Sequence, residues 1–276
     1  MKFLIDRSCV TYTDEITGVS LVGDADDIVA YCKDHNYECR ILPGIEIAEL
    51  SPDEFFEYIP FCDTRTFQSQ LTKIRLDYLI PDTYSPEFQK FYRRNICKTT
   101  STELANIAYP YFIKSACNNK MIDGMVVRND EDLKDLWIFN QVKPDDNLSV
   151  YVCEVVSFVS EYRLLIGNNV LYGCGFQMGN DKQQIPSSFI NEIVSSTKGN
   201  FLCIDVGCIS ERNQWTNTQT EPGCVIKADP KQNLFWAIVE VNPPFSIDDF
   251  GIPLDDYIQY AIDFMNHVKV QRSRQN

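Results

Sequence analysis

Two carboxylates stand where an apolar strand cannot hold them alone. Glu240 interrupts Trp236-Ala237-Ile238-Val239-Glu240-Val241-Asn242-Pro243-Pro244, and Asp205 interrupts Leu202-Cys203-Ile204-Asp205-Val206-Gly207. Burying an unpartnered charge is costly, so each needs a metal, an arginine or a lysine beside it. On a strand, residues i and i+2 share a face, so Glu240 and Asn242 present oxygen ligands side by side while their neighbours stay in the core. Such oxygens suit a hard cation. If the two strands are neighbours, Mg²⁺ serves both, because it takes one or two carboxylates and completes its shell with substrate phosphates. Alone, E-x-N also fits a polar strand edge, and its companions decide between the two.

Lys114 closes the run Tyr111-Phe112-Ile113 and precedes a polar loop over residues 115–120. A lysine at a strand end beside small residues can set a point charge on a phosphate; by itself it also fits a lysine snorkelling from a strand. Glu154 and Glu161 flank Val155-Val156-Ser157-Phe158-Val159-Ser160. Where a strand leaves its ladder, free backbone N–H and C=O groups beside an apolar segment suit an adenine edge, and a carboxylate past the turn can accept both ribose hydroxyls. Arg163 falls on the face of Glu161, where it could reach a phosphate or an acyl phosphate; the alternative is a surface Glu–Arg pair.

The elements that must position these residues alternate along the chain. Residues 2–5 and 37–42 read as strands, with a helix between them after Asp24 that places Ile28, Tyr31 and Cys32 on one face. Helix starts are signed at Ser51-Pro52-Asp53-Glu54, Ser85-Pro86-Glu87, Thr100-Ser101-Thr102-Glu103 and Asn129-Asp130-Glu131-Asp132. Residues 111–114 and 124–127 predict strands, and residues 143–147 a hinge. Beyond it come strands over 150–156, 162–166 and 170–175, a helix over 186–197, strands over 201–207 and 234–241, and a closing amphipathic helix over 254–268. A polar stretch, residues 208–232, separates the two carboxylate strands as a long loop.

Composition narrows the function classes. A chain of 276 residues, 44% hydrophobic, can bury a core large enough for two or three lobes. Its 25 basic and 39 acidic residues give a net charge of −14, which disfavours nucleic acid as the main partner. Eleven cysteines, an odd number, in a long chain whose start lacks an apolar signal region point to a reducing, cytoplasmic setting. With no C-x-x-C pair and only His35 and His267, a zinc site is not expected. No apolar run approaches the ~20 residues that span a bilayer.

Taken in order, a strand-end lysine, a glutamate at the strand exit, a second glutamate, an aspartate in an apolar strand and a closing E-x-N resemble the ATP-grasp fold. Phe112-Ile113-Lys114, Lys120-Met121-Ile122-Asp123-Gly124, Glu161-Tyr162-Arg163 and Arg94 before Thr99-Thr100 resemble, more narrowly, the ATP-grasp clade named for two arginines and a lysine, found mainly in phages and bacteria. The resemblance implies an α+β architecture: two α+β subdomains gripping ATP, over residues 81–147 and 148–276, preceded by a small α/β domain over residues 1–80. It implies that Lys114 holds the α- and β-phosphates, that the backbone of Glu154, Val155 and Val156 holds adenine, and that Glu161 holds ribose. Asp205, Glu240 and Asn242 would hold two Mg²⁺ ions, with Mn²⁺ as a substitute, and Arg163 and Lys120 would serve the γ-phosphate and an acyl phosphate.

The activity so implied is an ATP- and Mg²⁺-dependent ligation of a small-molecule or peptide carboxylate to an amine. Two features depart from the family's pattern: the 208–232 insertion between the metal strands, and Pro243-Pro244 directly after E-x-N. A non-catalytic ATP-binding module of the same fold is the alternative. Lys120-Met121-Ile122-Asp123-Gly124 is one residue longer than the K-x-D-G of covalent nucleotidyltransferases, which turns the aspartate to another face.

Overall fold

The computed structural model describes residues 1–13, 20–21, 23, 25–116, 121–179, 183–210, 234–245 and 248–275. Its first lobe runs β1 (Lys2–Asp6), the short antiparallel pair β2 (Tyr12–Thr13) and β3 (Ser20–Leu21), α1 (Asp26–Asp34), β4 (Glu38–Leu42), α2 (Gly44–Glu49), α3 (Pro52–Phe55), β5 (Ile59–Phe61) and α4 (Thr64–Lys73). β1 pairs in parallel with both β4 and β5. A central parallel strand is covered on both faces, which is why Phe3, Leu4 and Ile5 form an unbroken apolar run, each fully buried.

Helix α1 begins after Ala25, which makes no side-chain cap; Asp24 lies outside the described residues. Ser51 does cap, accepting from Glu54 N at 3.2 Å, yet the helix it starts ends after four residues. The longer α4 is started by Asp63, whose carboxylate accepts from Arg65 N at 2.8 Å and Thr66 N at 3.3 Å.

Residues 81–95 form a strap, including a 3₁₀ turn over Pro86–Phe91, that leads into the second lobe. That lobe comprises β6 (Ile96–Thr100), a 3₁₀ turn over Ser101–Asn106, β7 (Tyr111–Ser115), β8 (Met125–Val127), α5 (Asp130–Phe139) and β9 (Ser149–Cys153), with an antiparallel sheet ordered β6-β9-β7-β8. Asn129 caps α5 through Glu131 N and Asp132 N. Because β9 pairs with β6 and β7, residues 149–153 belong to this smaller sheet. The chain therefore leaves the sheet after Cys153, and residues 143–147, expected to be the hinge, form a local turn before β9.

The third lobe holds β10 (Phe158–Gly167), β11 (Val170–Gly179), α6 (Ser187–Ser196), β12 (Leu202–Ser210), β13 (Leu234–Asn242) and α7 (Leu254–Ser273), its antiparallel sheet ordered β11-β10-β12-β13. Cys208, Cys203 and their neighbours lie on one strand, so the first three residues of the expected 208–232 loop continue β12; residues 211–232 lie outside the described residues.

The two faces of this sheet have different duties. Leu164, Ile166, Ile204, Val206, Ile238 and Val241 pack with Ile193 of α6 and with Phe88 and Phe91 of the strap. Leu165 and Cys203, on the opposite face, join the core that α7 shares with the first lobe. Phe245, three residues past Asn242, stacks on Phe67 of α4 with ring centroids 4.2 Å apart and planes within 4°. Burial of such rings stabilises by roughly 2–3 kcal/mol each. The first lobe thus docks directly beside the end of β13.

The nine cysteines among the described residues are free thiols. No helix among those residues is long and apolar enough to cross a membrane.

Candidate functional site

β10, β12 and β13 run side by side, and their register sets Arg163 opposite Asp205 and Asp205 opposite Glu240. Asn242 follows on the face of Glu240. Asp205 and Arg163 are 2% and 5% exposed, and the charges meet in a bidentate pair: Nε donates to Oδ1 and Nη2 to Oδ2, both at 2.9 Å. Arg163 Nη1 also donates to the Asp248 carbonyl at 3.2 Å, and the guanidinium lies 4.4 Å from the centroid of the Phe250 ring. Burial opposes the Arg163 charge, but Cys203, the hydrogen-bonded Asp205 and Asp248 outweigh it and hold its pKa above the ordinary value.

A glycine makes room for this cover. Gly175 stands opposite Arg163 on β11, and a Cβ there would come within 2.7 Å of the carbonyls of both Asp249 and Phe250. Gly173 alternates with Gly175 on the same strand, and a Cβ there would meet the Ile252 side chain, so the spacing of the two glycines is a sequence signal of a segment packed close on β11.

Glu240 is met from the other sheet. Lys114, on β7, contacts Glu240 Oε2 through Nζ, with the two side chains 20% and 19% exposed. Asn242 Nδ2 donates to Asp205 Oδ2 at 2.9 Å and to Glu240 Oε1 at 3.0 Å. An electropositive group thus already sits where two carboxylates converge, and rotating the carboxamide by a half-turn would present its oxygen there instead. Two carboxylates and a carboxamide oxygen are a hard-donor set that fits Mg²⁺ or Mn²⁺. Among the described residues no three His, Cys, Asp or Glu side chains make a metal site by themselves.

Glu161 lies on the same face of β10, partly buried. Burial first, and the Asp205 carboxylate second, push its pKa up to about 7, with Arg94 and Lys114 pulling the other way. Four of the expected residues on the large sheet (Glu161, Asp205, Glu240, Asn242) and Lys114 from the small sheet are therefore brought together. Arg163 is brought there too, but as the partner of Asp205.

Glu154 stands apart on the small-sheet side. Its carboxylate accepts from Asn95 N at 3.2 Å and Asn95 Nδ2 at 3.3 Å, and its own N–H donates to Asn95 O at 2.9 Å. Val155 and Val156, where the chain passes between sheets, make no hydrogen bond with another described residue. Lys120 lies outside the described residues.

The strap contributes a residue whose contacts the sequence did not disclose. Arg94 Nη1 donates to Ile238 O at 2.9 Å and Nη2 to Val239 O at 2.6 Å, just before Glu240.

Comparison with known proteins identifies the family and the fold. The profile of the family described as ATP-grasp domain, R2K clade family 2, matches residues 91–260. A comparison with curated proteins finds no match. Among solved structures, D-alanine–D-alanine ligase from Bacillus anthracis complexed with ATP is similar at TM-score 0.51 and 9% identity, covering 100% of both chains. An ATP-grasp RimK domain protein from Sphaerobacter thermophilus DSM 20745 is similar at TM-score 0.52 and 11% identity, covering 96% of this chain and 99% of its own. At these identities the likeness is one of fold.

Proposed function

The chain belongs to the ATP-grasp domain, R2K clade family 2, and from that premise we propose that it is a ligase joining a carboxylate to an amine with ATP and a divalent cation. The observation that carries the proposal is the contact of Lys114 from one sheet with Glu240 of the other, where Asn242 bonds both Glu240 and Asp205. A cation of one sheet aimed at a hard-metal set of the other is what a nucleotide triphosphate with its metal would bridge.

Lys114 would place its charge on the α- and β-phosphates. The backbone of Val155 and Val156, beside Glu154, would take adenine, and Glu161 the ribose hydroxyls. Asp205, Glu240 and Asn242 would hold Mg²⁺, which when bound supplies charge neutralisation on the phosphates. Arg163 would keep Asp205 oriented and add positive charge at the γ-phosphate end, with Lys120 the second cation for the acyl phosphate.

In the reaction, a carboxylate oxygen attacks the γ-phosphorus, the bond to the β–γ bridging oxygen breaks and ADP leaves. The amine nitrogen then attacks the acyl carbon, phosphate leaves and the amine gives up a proton. Positioning and charge neutralisation supply most of the acceleration, so neither a histidine nor a nucleophilic cysteine is needed. The carboxylate and amine are small molecules or peptides.

The test is ADP release from pairs of amino acids and peptides, with Asp205→Asn and Glu240→Gln as controls. Turnover should appear with one class of pair and fall at least ~100-fold in both variants while they stay folded. ATP binding without ADP release across the panel would favour a non-catalytic module, and a labelled covalent lysine–AMP adduct would favour nucleotidyl transfer.

A further inference from the structure

Glu240 faces the site only because β13 breaks step. Going down the ladder, Val206 pairs with Ile238 but Asp205 pairs with Glu240, so Val239 is an extra residue, a bulge. In an unbroken strand Ile238 and Glu240 would share a face. Here Ile238 is fully buried in the core on one side while Glu240 meets Asp205 and Lys114 on the other.

β13 is also the edge of its sheet, and an edge bulge has no second strand to hold it. The strap takes that place. Val241 N donates to Thr83 O at 3.0 Å, on one side of Glu240. On the other side the Arg94 fork spans the carbonyls of Ile238 and Val239. In a regular strand successive carbonyls point to opposite edges; two that accept from one guanidinium have been turned together by the bulge. Arg94 is itself fixed, donating to Tyr92 O at 3.2 Å and to Tyr84 Oη at 3.4 Å, and lying 5.4 Å from the Tyr84 ring and 5.6 Å from that of Phe158.

We infer that Arg94 is a positioning residue that clamps the Val239 bulge and thereby sets the face on which Glu240 presents its carboxylate. A planar fork can hold two adjacent carbonyls at a fixed angle; a lysine can satisfy them only as a point donor. The consequence for metal binding rests on the ligase reading, whereas the clamp itself does not.

Two measurements on the full chain separate these. Amide hydrogen exchange without nucleotide should quicken over residues 238–241 in Arg94→Gln, with residues 204–206 still protected. Mn²⁺ titration in the presence of ADP, and the Mg²⁺ dependence of turnover, should show affinity weakened about 10–100-fold in Arg94→Gln and less in Arg94→Lys, with kcat at saturating metal and ADP binding without metal changed by less than about threefold. Arg94→Lys keeps the test open if Arg94→Gln fails to fold. Unchanged exchange over residues 238–241 in a folded variant overturns the clamp. Faster exchange with unaltered Mn²⁺ affinity overturns its role in positioning Glu240. A wild-type chain that binds no Mn²⁺ with ADP overturns the ligase reading, while exchange still judges the clamp.

Discussion

Two ion pairs hold the carboxylates of β12 and β13, and they are built differently. Arg163 and Asp205 lie with side chains 6% and 3% exposed, joined by two parallel hydrogen bonds and covered by Phe250. Lys114 and Glu240, on strands of two different sheets, are 20% and 19% exposed and meet through the lysine ammonium. The first pair belongs to a single sheet and is sealed. The second spans the gap between sheets and can be exchanged: a phosphate can take Lys114 and a cation can take Glu240 without stranding either charge. In the proposed reading, Asp205 would be the carboxylate that stays in place and Glu240 the one that exchanges its lysine for a cation.

The largest effect that would break this comparison is on stability. Asp205→Ala leaves the Arg163 guanidinium buried without its partner, a loss of about 3–5 kcal/mol. Glu240→Ala leaves Lys114 able to reach water and should lose no more than about 1 kcal/mol. Urea unfolding of the two variants without nucleotide measures the gap; equal losses would mean that the pairs do the same work.

How much of this was readable beforehand depends on whether the signal was local. The strands carrying Asp205 and Glu240 were found to within a few residues because a carboxylate in an apolar run is visible in one window. α5 was equally plain, since Asn129 both ends the preceding segment and caps the helix. Ser85-Pro86-Glu87 and Thr100-Ser101-Thr102-Glu103 have the residue types of helix starts, but neither Ser85 nor Thr100 makes a side-chain cap bond, and each segment forms a 3₁₀ turn of six residues with Phe88, Phe91 and Leu104 buried. α2, β5 and α4 went unread although Asp63 before Thr64 is an ordinary cap. What local windows could not disclose was pairing. β9 joins the small sheet through partners more than thirty residues away, so the true passage between sheets, residues 154–157, lay beyond the turn that looked like a hinge. The Val239 bulge is invisible for the same reason: strict alternation from Glu240 puts Ile238 on the wrong face. Strand alternation puts Arg163 on the face of Glu161, but its partner is set by β12 lying beside β10.

Glu161 sharpens the comparison next, because it shares the face of Asp205 but, among the described residues, has no cation paired to it as closely as either carboxylate. Its pKa is raised from 4.5 to about 7 by burial and then by Asp205. A carboxyl whose folded pKa is raised stabilises the fold fully below its unfolded value, and that contribution is lost as pH climbs through the folded value. Without metal or nucleotide, wild-type stability should therefore decline between pH 4.5 and 7. Glu161→Gln stays neutral, so it should match wild type near the low end and exceed it at pH 8 by on the order of 2–3 kcal/mol. Stability curves that remain parallel across this window would show that Glu161 ionises freely and that the face is wetter than its burial indicates.

The smallest effect tests what seals the Arg163–Asp205 pair. Phe250 covers the guanidinium from a segment that Gly175 allows to lie flat on β11, and Phe250 itself sits at φ 51° with Gly251 following at φ 76°. Phe250→Leu keeps apolar cover but removes the ring's attraction for the cation, which should cost about 1 kcal/mol. Phe250→Ala also opens the pair to water, and an opened pair acquires the salt dependence that the sealed one lacks. The measurement is the difference in unfolding free energy between low and high salt for wild type and both variants. Wild type and Phe250→Leu should change alike, whereas Phe250→Ala should lose additional stability as salt rises, because only there do ions reach Arg163 and Asp205. If salt acts on wild type as strongly as on Phe250→Ala, the buried pair is already screened, and the distinction between a fixed carboxylate and a releasable one must rest on the two hydrogen bonds alone.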